Sequence, residues 1–111
     1  MAIEKVRQID PRIYLIAYEG GQGLAGSNSP TDNALFDEIN RSPQMQGLYL
    51  MYLYGWKANG GKLFVHYCDC SQYNQWGRYG SMEYMGQKQN ETPKYNALMD
   101  FIHKNPAWWI R

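Results

Sequence analysis

The side chains of this chain that could do chemistry stand at the ends of two apolar runs. Glu19 closes the first, Arg12-Ile13-Tyr14-Leu15-Ile16-Ala17-Tyr18, and Gly20-Gly21-Gln22 follows directly. A carboxylate where a strand emerges from a sheet stands where active sites are built. The bland reading of Glu19 is an ordinary solvated carboxylate. The second run, Lys62-Leu63-Phe64-Val65-His66-Tyr67-Cys68, ends at Asp69. Along it His66, Cys68 and Cys70 alternate and project to one face of an extended strand, an arrangement that zinc or copper can use. The set lacks the paired Cys-x-x-Cys knuckles of structural zinc sites and needs His103 or water as a fourth ligand. We therefore expect thiols packed beside a strand histidine, with no metal and no cofactor; metal-dependent redox chemistry is the competing reading. Neither histidine stands near a GxSxG elbow, so no Ser-His-Asp constellation is expected.

These groups need elements to carry them. Ile3, Val6 and Ile9 recur at intervals of three before Asp10-Pro11 ends the run, which predicts a helix tail or lead-in over 1–10. Residues 13–19 read as a strand buried on both faces, as in a parallel sheet. A glycine-rich loop follows over 20–30; it lacks the Lys-Ser/Thr of a phosphate-binding loop and the helix-opening GxGxxG pattern. Thr31 or Asp32 is the expected cap of a short helix through Leu35, Phe36 and Ile39. A longer helix over 43–57 carries Met45, Leu48, Tyr49, Tyr52, Leu53 and Trp56 on a wide apolar face, closed by Asn59-Gly60-Gly61.

Residues 62–69 then form the second strand, and strand, helix, strand at this spacing is the signature of a right-handed βαβ unit with parallel strands. Parallel strands deliver both following loops to one edge, so the polar and aromatic stretch 70–83 is expected as an exposed loop beside Glu19. Thr92-Pro93 opens a last helix with Tyr95, Leu98, Met99 and Ile102 on its packed face, and Asn105-Pro106 ends it. Trp108-Trp109 is read as an anchor for the chain end rather than an exposed sugar-binding pair.

A length of 111 residues means one domain, 1–111, built of two strand-loop-helix units, 12–61 and 62–111. Eleven Lys and Arg against ten Asp and Glu leave no basic stripe, so nucleic acid is not an expected partner. No apolar run is long enough to cross a bilayer and the N-terminus has no signal-peptide core, so no membrane partner is expected either. Cys68 and Cys70 lie too close on a strand to bridge each other. Ten Tyr and four Trp supply flat, half-polar rings of the kind that bind sugars as well as fill cores.

The series AYEGGQ (17–22), NRSPQM (40–45), GGKLFVHYCD (60–69), WGRYGSMEY (76–84) and TPKYNAL (92–98) resembles the C-terminal portion of bacterial (β/α)8-barrel glycoside hydrolase-like proteins of the cellulase and hemicellulase type. The resemblance covers roughly residues 10–103 and rests on these motifs occurring in the same order. It implies that strands 13–19 and 62–69 are the penultimate and last barrel strands, and that Glu19 matches the carboxylate that attacks the anomeric carbon in retaining enzymes. It further implies a saccharide platform from Trp76, with Tyr18, Tyr73 and Tyr79 as further aromatic contacts and Gln22, Asn28 or Asp69 as polar ones. The implied substrate is a β-linked polysaccharide or oligosaccharide, and the implied location is extracellular.

Retaining hydrolysis needs a second carboxyl about 5 Å from the first. The family takes it from an earlier strand that this chain lacks; Asp69, ending the neighbouring strand, is the preferred local partner ahead of Glu83. A carbohydrate-binding or assembly module without hydrolysis is the alternative function. The expected fold is α/β, a partial barrel of two β-α units with parallel strands, whose unpaired sheet edges need cover: self-association into a homo-oligomer is the preferred solution, and addition of the N-terminal segment or a hairpin from 71–85 to the sheet the alternative.

Overall fold

The computed structural model describes residues 2–26 and 28–110. In order they form α1 (Ala2–Ile9), β1 (Ala17–Gly20), α2 (Pro30–Arg41), α3 (Gln44–Ala58), β2 (Phe64–His66) and α4 (Pro93–Lys104), with short 3-10 turns at Gln89–Glu91 and Trp108–Ile110. The class is mixed α/β. β1 and β2 pair in parallel as a two-stranded sheet, joined through α2 and α3 as the strand-helix-strand spacing predicts.

Regular strand is shorter than expected on both runs. The pairing extends beyond it through Lys62 N–H donating to the Leu15 carbonyl at 2.9 Å and Tyr67 N–H to the Gly20 carbonyl at 2.9 Å. The ladder is also irregular. Ala17 stands opposite Phe64 and Gly20 opposite His66, so three steps on β1 match two on β2. Such a bulge breaks the in-out alternation and re-aims side chains, and it falls at Tyr18 and Glu19.

α2 starts two to three residues earlier than the expected caps. Ser29 is the N-cap, its Oγ accepting from the Asp32 N–H at 3.3 Å, with Pro30 in the first helical position. Proline lacks the N–H that a cap would have to satisfy, so Ser29-Pro30 outcompetes Thr31 and Asp32. α3 buries only Met45, Tyr49 and Leu53, a narrower stripe than predicted, leaving Leu48 and Tyr52 exposed.

The central cluster sets Met45 and Tyr49 against Ala97 of α4, with Leu50 and Leu98 beside them. The α3–sheet contact is aromatic: Phe64 meets the edges of Tyr52 and Trp56 at 5.4 and 5.8 Å. Trp108 does anchor the chain end, stacking edge-on against Phe101 at 5.4 Å and donating from Nε1 to the Gly61 carbonyl at 3.0 Å.

Two expectations fail in instructive ways. The first strand is not covered on both faces: Tyr14, Ile16 and Tyr18 are exposed, as are Val65 and Tyr67 of the second run. The radius of gyration, 15.6 Å, exceeds the roughly 13 Å of a compact chain of this length. Nor is 70–83 an exposed loop, because Tyr73, Gly77, Arg78, Gly80 and Ser81 are buried. Among the described residues no helix is long and apolar enough to cross a membrane.

Candidate functional site

The loops that follow β1 and β2 are stitched to each other. Arg78 N–H donates to the Gly23 carbonyl at 2.7 Å and its Nη1 to the Leu24 carbonyl at 3.0 Å, while within the second loop Cys68 and Ser81 N–H groups donate to the Tyr79 and Cys68 carbonyls at 3.1 and 2.8 Å. Gly26 and Gly77 are needed here: a Cβ on Gly26 would stand 1.9 Å from the Gln75 carbonyl oxygen, and one on Gly77, at φ +152°, 2.0 Å from the Tyr79 ring. The result is one continuous rim formed by both loops.

Glu19 opens onto a shallow cleft of about 320 Å³ in this rim, shared with Gly20, Gly21, Gly23, Tyr67 and Tyr79. Tyr67 and Tyr79 meet edge to face at 5.6 Å, and a Cβ on Gly23 would lie 2.7 Å from the Tyr79 ring. Two aromatic walls beside a glycine floor suit a flat ligand with polar edges. Trp76, 77 % exposed, borders a neighbouring hollow with Ala25, Gly26, Asn28 and Gln75. The structure thus brings Glu19 and Tyr79 to one cleft, with Trp76 and Asn28 farther along the same pair of loops.

The other sequence-predicted site residues lie elsewhere. Asp69 is exposed and lines a separate, largely apolar groove of about 760 Å³ between β2 and α4, with Phe64, His66, Tyr95, Leu98 and Trp108. Tyr73 is buried, its hydroxyl donating to the Gly80 carbonyl at 3.0 Å, so it supports the rim from inside. Tyr18 belongs to the uncovered sheet surface. Gln22 turns inward: its Nε2 donates to Asn40 Oδ1 and to the Arg78 carbonyl, the latter at 3.2 Å, and its N–H to the Tyr49 hydroxyl at 3.4 Å. A side-chain amide can fill several backbone positions at once, which is why a loop glutamine ends as a brace.

Among the described residues the side-chain partner of His66 is Tyr49 rather than a cysteine thiol. Its Nε2 is 3.2 Å from the Tyr49 hydroxyl, and burial followed by the charge of Lys94 pushes its pKa down. Among the described residues no three His, Cys, Asp or Glu side chains converge as metal ligands, and both cysteines are free.

Sequence reasoning missed the polar layer beneath the rim. Arg78 is wholly buried; its guanidinium donates to Asp37 Oδ1 at 2.7 Å, to the Leu24 carbonyl at 3.0 Å and to the carbonyl and Oδ1 of Asn33 at 3.1 Å each. Lys94 is equally buried, Asn40 lies beside Gln22, and Arg41 binds Glu83 bidentately at 2.5 and 2.9 Å. The only signal available was that Arg78 and Lys94 sit inside the glycine- and proline-marked motifs WGRYG and TPKY.

Against this geometry stand the comparisons with known proteins. No family model, curated protein or solved structure matches the chain.

Proposed function

We propose that this is a carbohydrate-active protein of the glycoside hydrolase type that takes a β-linked polysaccharide or oligosaccharide across the rim, with Glu19 as nucleophile. The observation that supports this most is the Glu19 cleft: a carboxylate at the end of a parallel strand, walled by Tyr67 and Tyr79 over glycines. A carboxylate can form and release a glycosyl ester, while an aromatic face stacks on the C–H side of a pyranose. Exposed Trp76, farther along the loops, extends that surface toward a second sugar unit.

The second reading is a binding or assembly module without hydrolysis. It is favoured by the position of Asp69, which borders a groove other than the Glu19 cleft, whereas retaining hydrolysis needs a second carboxyl beside the first. Incubation with glucans, xylans and mannans separates the two. New reducing ends that disappear in Glu19→Gln support the enzyme; oligosaccharide binding that survives the substitution without product supports the module; neither product nor binding overturns both.

The barrel-like arrangement is part of the same proposal. Parallel sheets are normally covered on both faces, and here Tyr14, Ile16, Tyr18 and Val65 leave exposed apolar surface on a sheet of only two strands. We expect further copies of the chain to complete the sheet, giving an oligomeric mass on size exclusion with multi-angle light scattering. Ile16→Lys, at the middle of that surface, should shift the population to smaller species; a wild-type protein that is monomeric at tens of micromolar removes self-association.

A further inference from the structure

α4 opens with Thr92, Pro93 and Lys94, and Lys94 carries its ammonium into the layer under the rim. Its Nζ donates to the Arg78 carbonyl at 2.6 Å and to the Gly80 carbonyl at 3.3 Å. It also lies over the Tyr73 ring at 4.6 Å and the Tyr49 ring at 5.9 Å. These two carbonyls belong to the residues on either side of Tyr79, the ring that walls the Glu19 cleft. Each has a second donor, Gln22 Nε2 on Arg78 and the Tyr73 hydroxyl on Gly80, at 3.2 and 3.0 Å.

A carbonyl oxygen has two lone pairs, so both acceptors are filled. The arrangement holds the backbone before and after Tyr79 from one point below. Helix geometry does not account for the residue type. A cation in the first turn opposes the helix dipole, and a buried ammonium is unfavourable unless its hydrogen bonds are made.

We propose that Lys94 is the positioning residue of the cleft: by clamping the Arg78 and Gly80 carbonyls it fixes Tyr79 as the wall beside Glu19. The inference rests on the carbohydrate reading for what the cleft binds, but not for the clamp itself. Lys94 does not touch the ligand. It acts through the backbone, and through Gln22, which shares the Arg78 carbonyl and so ties the β1 loop to the same point.

The test separates these two levels. Lys94→Met keeps the apolar stem and removes the donor. Amide hydrogen exchange without any sugar should quicken at least about tenfold at Arg78, Ser81 and Cys68 while α3 keeps its protection, a pattern that a general loss of stability does not give. In the Glu19→Gln background the same substitution should weaken binding of cello-, xylo- or manno-oligosaccharides about tenfold or more. Unchanged exchange at those amides overturns the clamp. Quickened exchange with unchanged binding overturns its role in the site. Quickened exchange in a protein whose parent binds none of the sugars overturns the carbohydrate reading and leaves the clamp supported.

Should Lys94→Met not fold, the side-chain ammonium resonance of Lys94 in the Glu19→Gln protein decides, read at about pH 6, where Nζ keeps its proton in the folded chain. It should move when the oligosaccharide is added, although no sugar reaches Nζ, and a fixed resonance under saturating sugar overturns the proposal.

Discussion

Arg78→Met should lower the free energy of unfolding by about 3–5 kcal/mol, the range for breaking a buried ion pair from one side. The guanidinium is 1 % exposed and makes donor contacts to Asp37, Leu24 and Asn33 at 2.7–3.1 Å while lying over the Phe36 ring at 5.5 Å. Removing it takes a donor from the Leu24 and Asn33 carbonyls and the guanidinium from the Asp37 carboxylate, and it also cuts the join between the β1 loop and α2. Asp37 is 27 % exposed, so its carboxylate regains some water, which places the expected loss in the lower half of the range. Arg78→Lys should recover little, because a single ammonium cannot span acceptors arranged around a planar fork. Urea unfolding at neutral pH checks both. A loss below about 1 kcal/mol, the size of an exposed pair, would show that the rim does not depend on the buried guanidinium.

Wild-type stability should climb with pH between about 7 and 10 and fall beyond. Burial pushes Lys94 down from its ordinary 10.5 to about 7, against the opposing pull of Glu83 and Cys68. Over that interval the unfolded chain holds a proton that the folded chain has given up, so raising the pH favours the folded state; below the interval both states are protonated and the gain is absent. At about 1.4 kcal/mol per pH unit the gain reaches at most about 4 kcal/mol, or a rise in Tm of about 15–20 °C. Above pH 10 the sign reverses. Burial pushes Tyr49 up to about 12 and raises Tyr73 as well, so the unfolded chain loses phenolic protons that the folded chain keeps. His66, pushed down by burial and then by Lys94, adds a separate loss of stability as the pH falls below the ordinary histidine range. Thermal unfolding from pH 5 to 11 reads all of this. Lys94→Met should flatten the rise between 7 and 10 and leave the fall above 10; a wild-type curve flat across neutrality would show that Lys94 is not held as described.

The same lysine marks how far the fold is legible in the residue order. The helix over 93–104 is legible from Thr92-Pro93 and from apolar spacing, and Leu98 packs on the core as expected, yet the buried face is Lys94, Ala97 and Phe101 rather than Tyr95, Met99 and Ile102. Tyr95, Leu98 and Met99 line the groove beside β2, and Ile102 is exposed. Hydropathy ranks lysine as a surface residue. Only carbonyls and aromatic rings brought together from 49, 73, 78 and 80 make its burial tolerable, and none of them is a neighbour in sequence. Tyr73 and Arg78 follow the same logic, since a polar, aperiodic stretch reads as a loop whether or not its backbone is buried.

Local matters are legible in the residue order: that helices fill the stretch between the two apolar runs and follow Thr92-Pro93, that the two apolar runs are strands, that the connection between them makes the strands parallel, and hence that the loop after Glu19 and the loop holding Trp76 meet on one rim. These follow from periodicity, caps and chain connectivity, which act over a few residues or through general handedness. Tertiary structure alone decided which polar groups go inside, that a bulge turns the chain at Glu19, and that Asp69 faces a different groove. Those outcomes depend on which donors and acceptors face one another across the fold, and partners distant in sequence leave no periodic trace of that pairing.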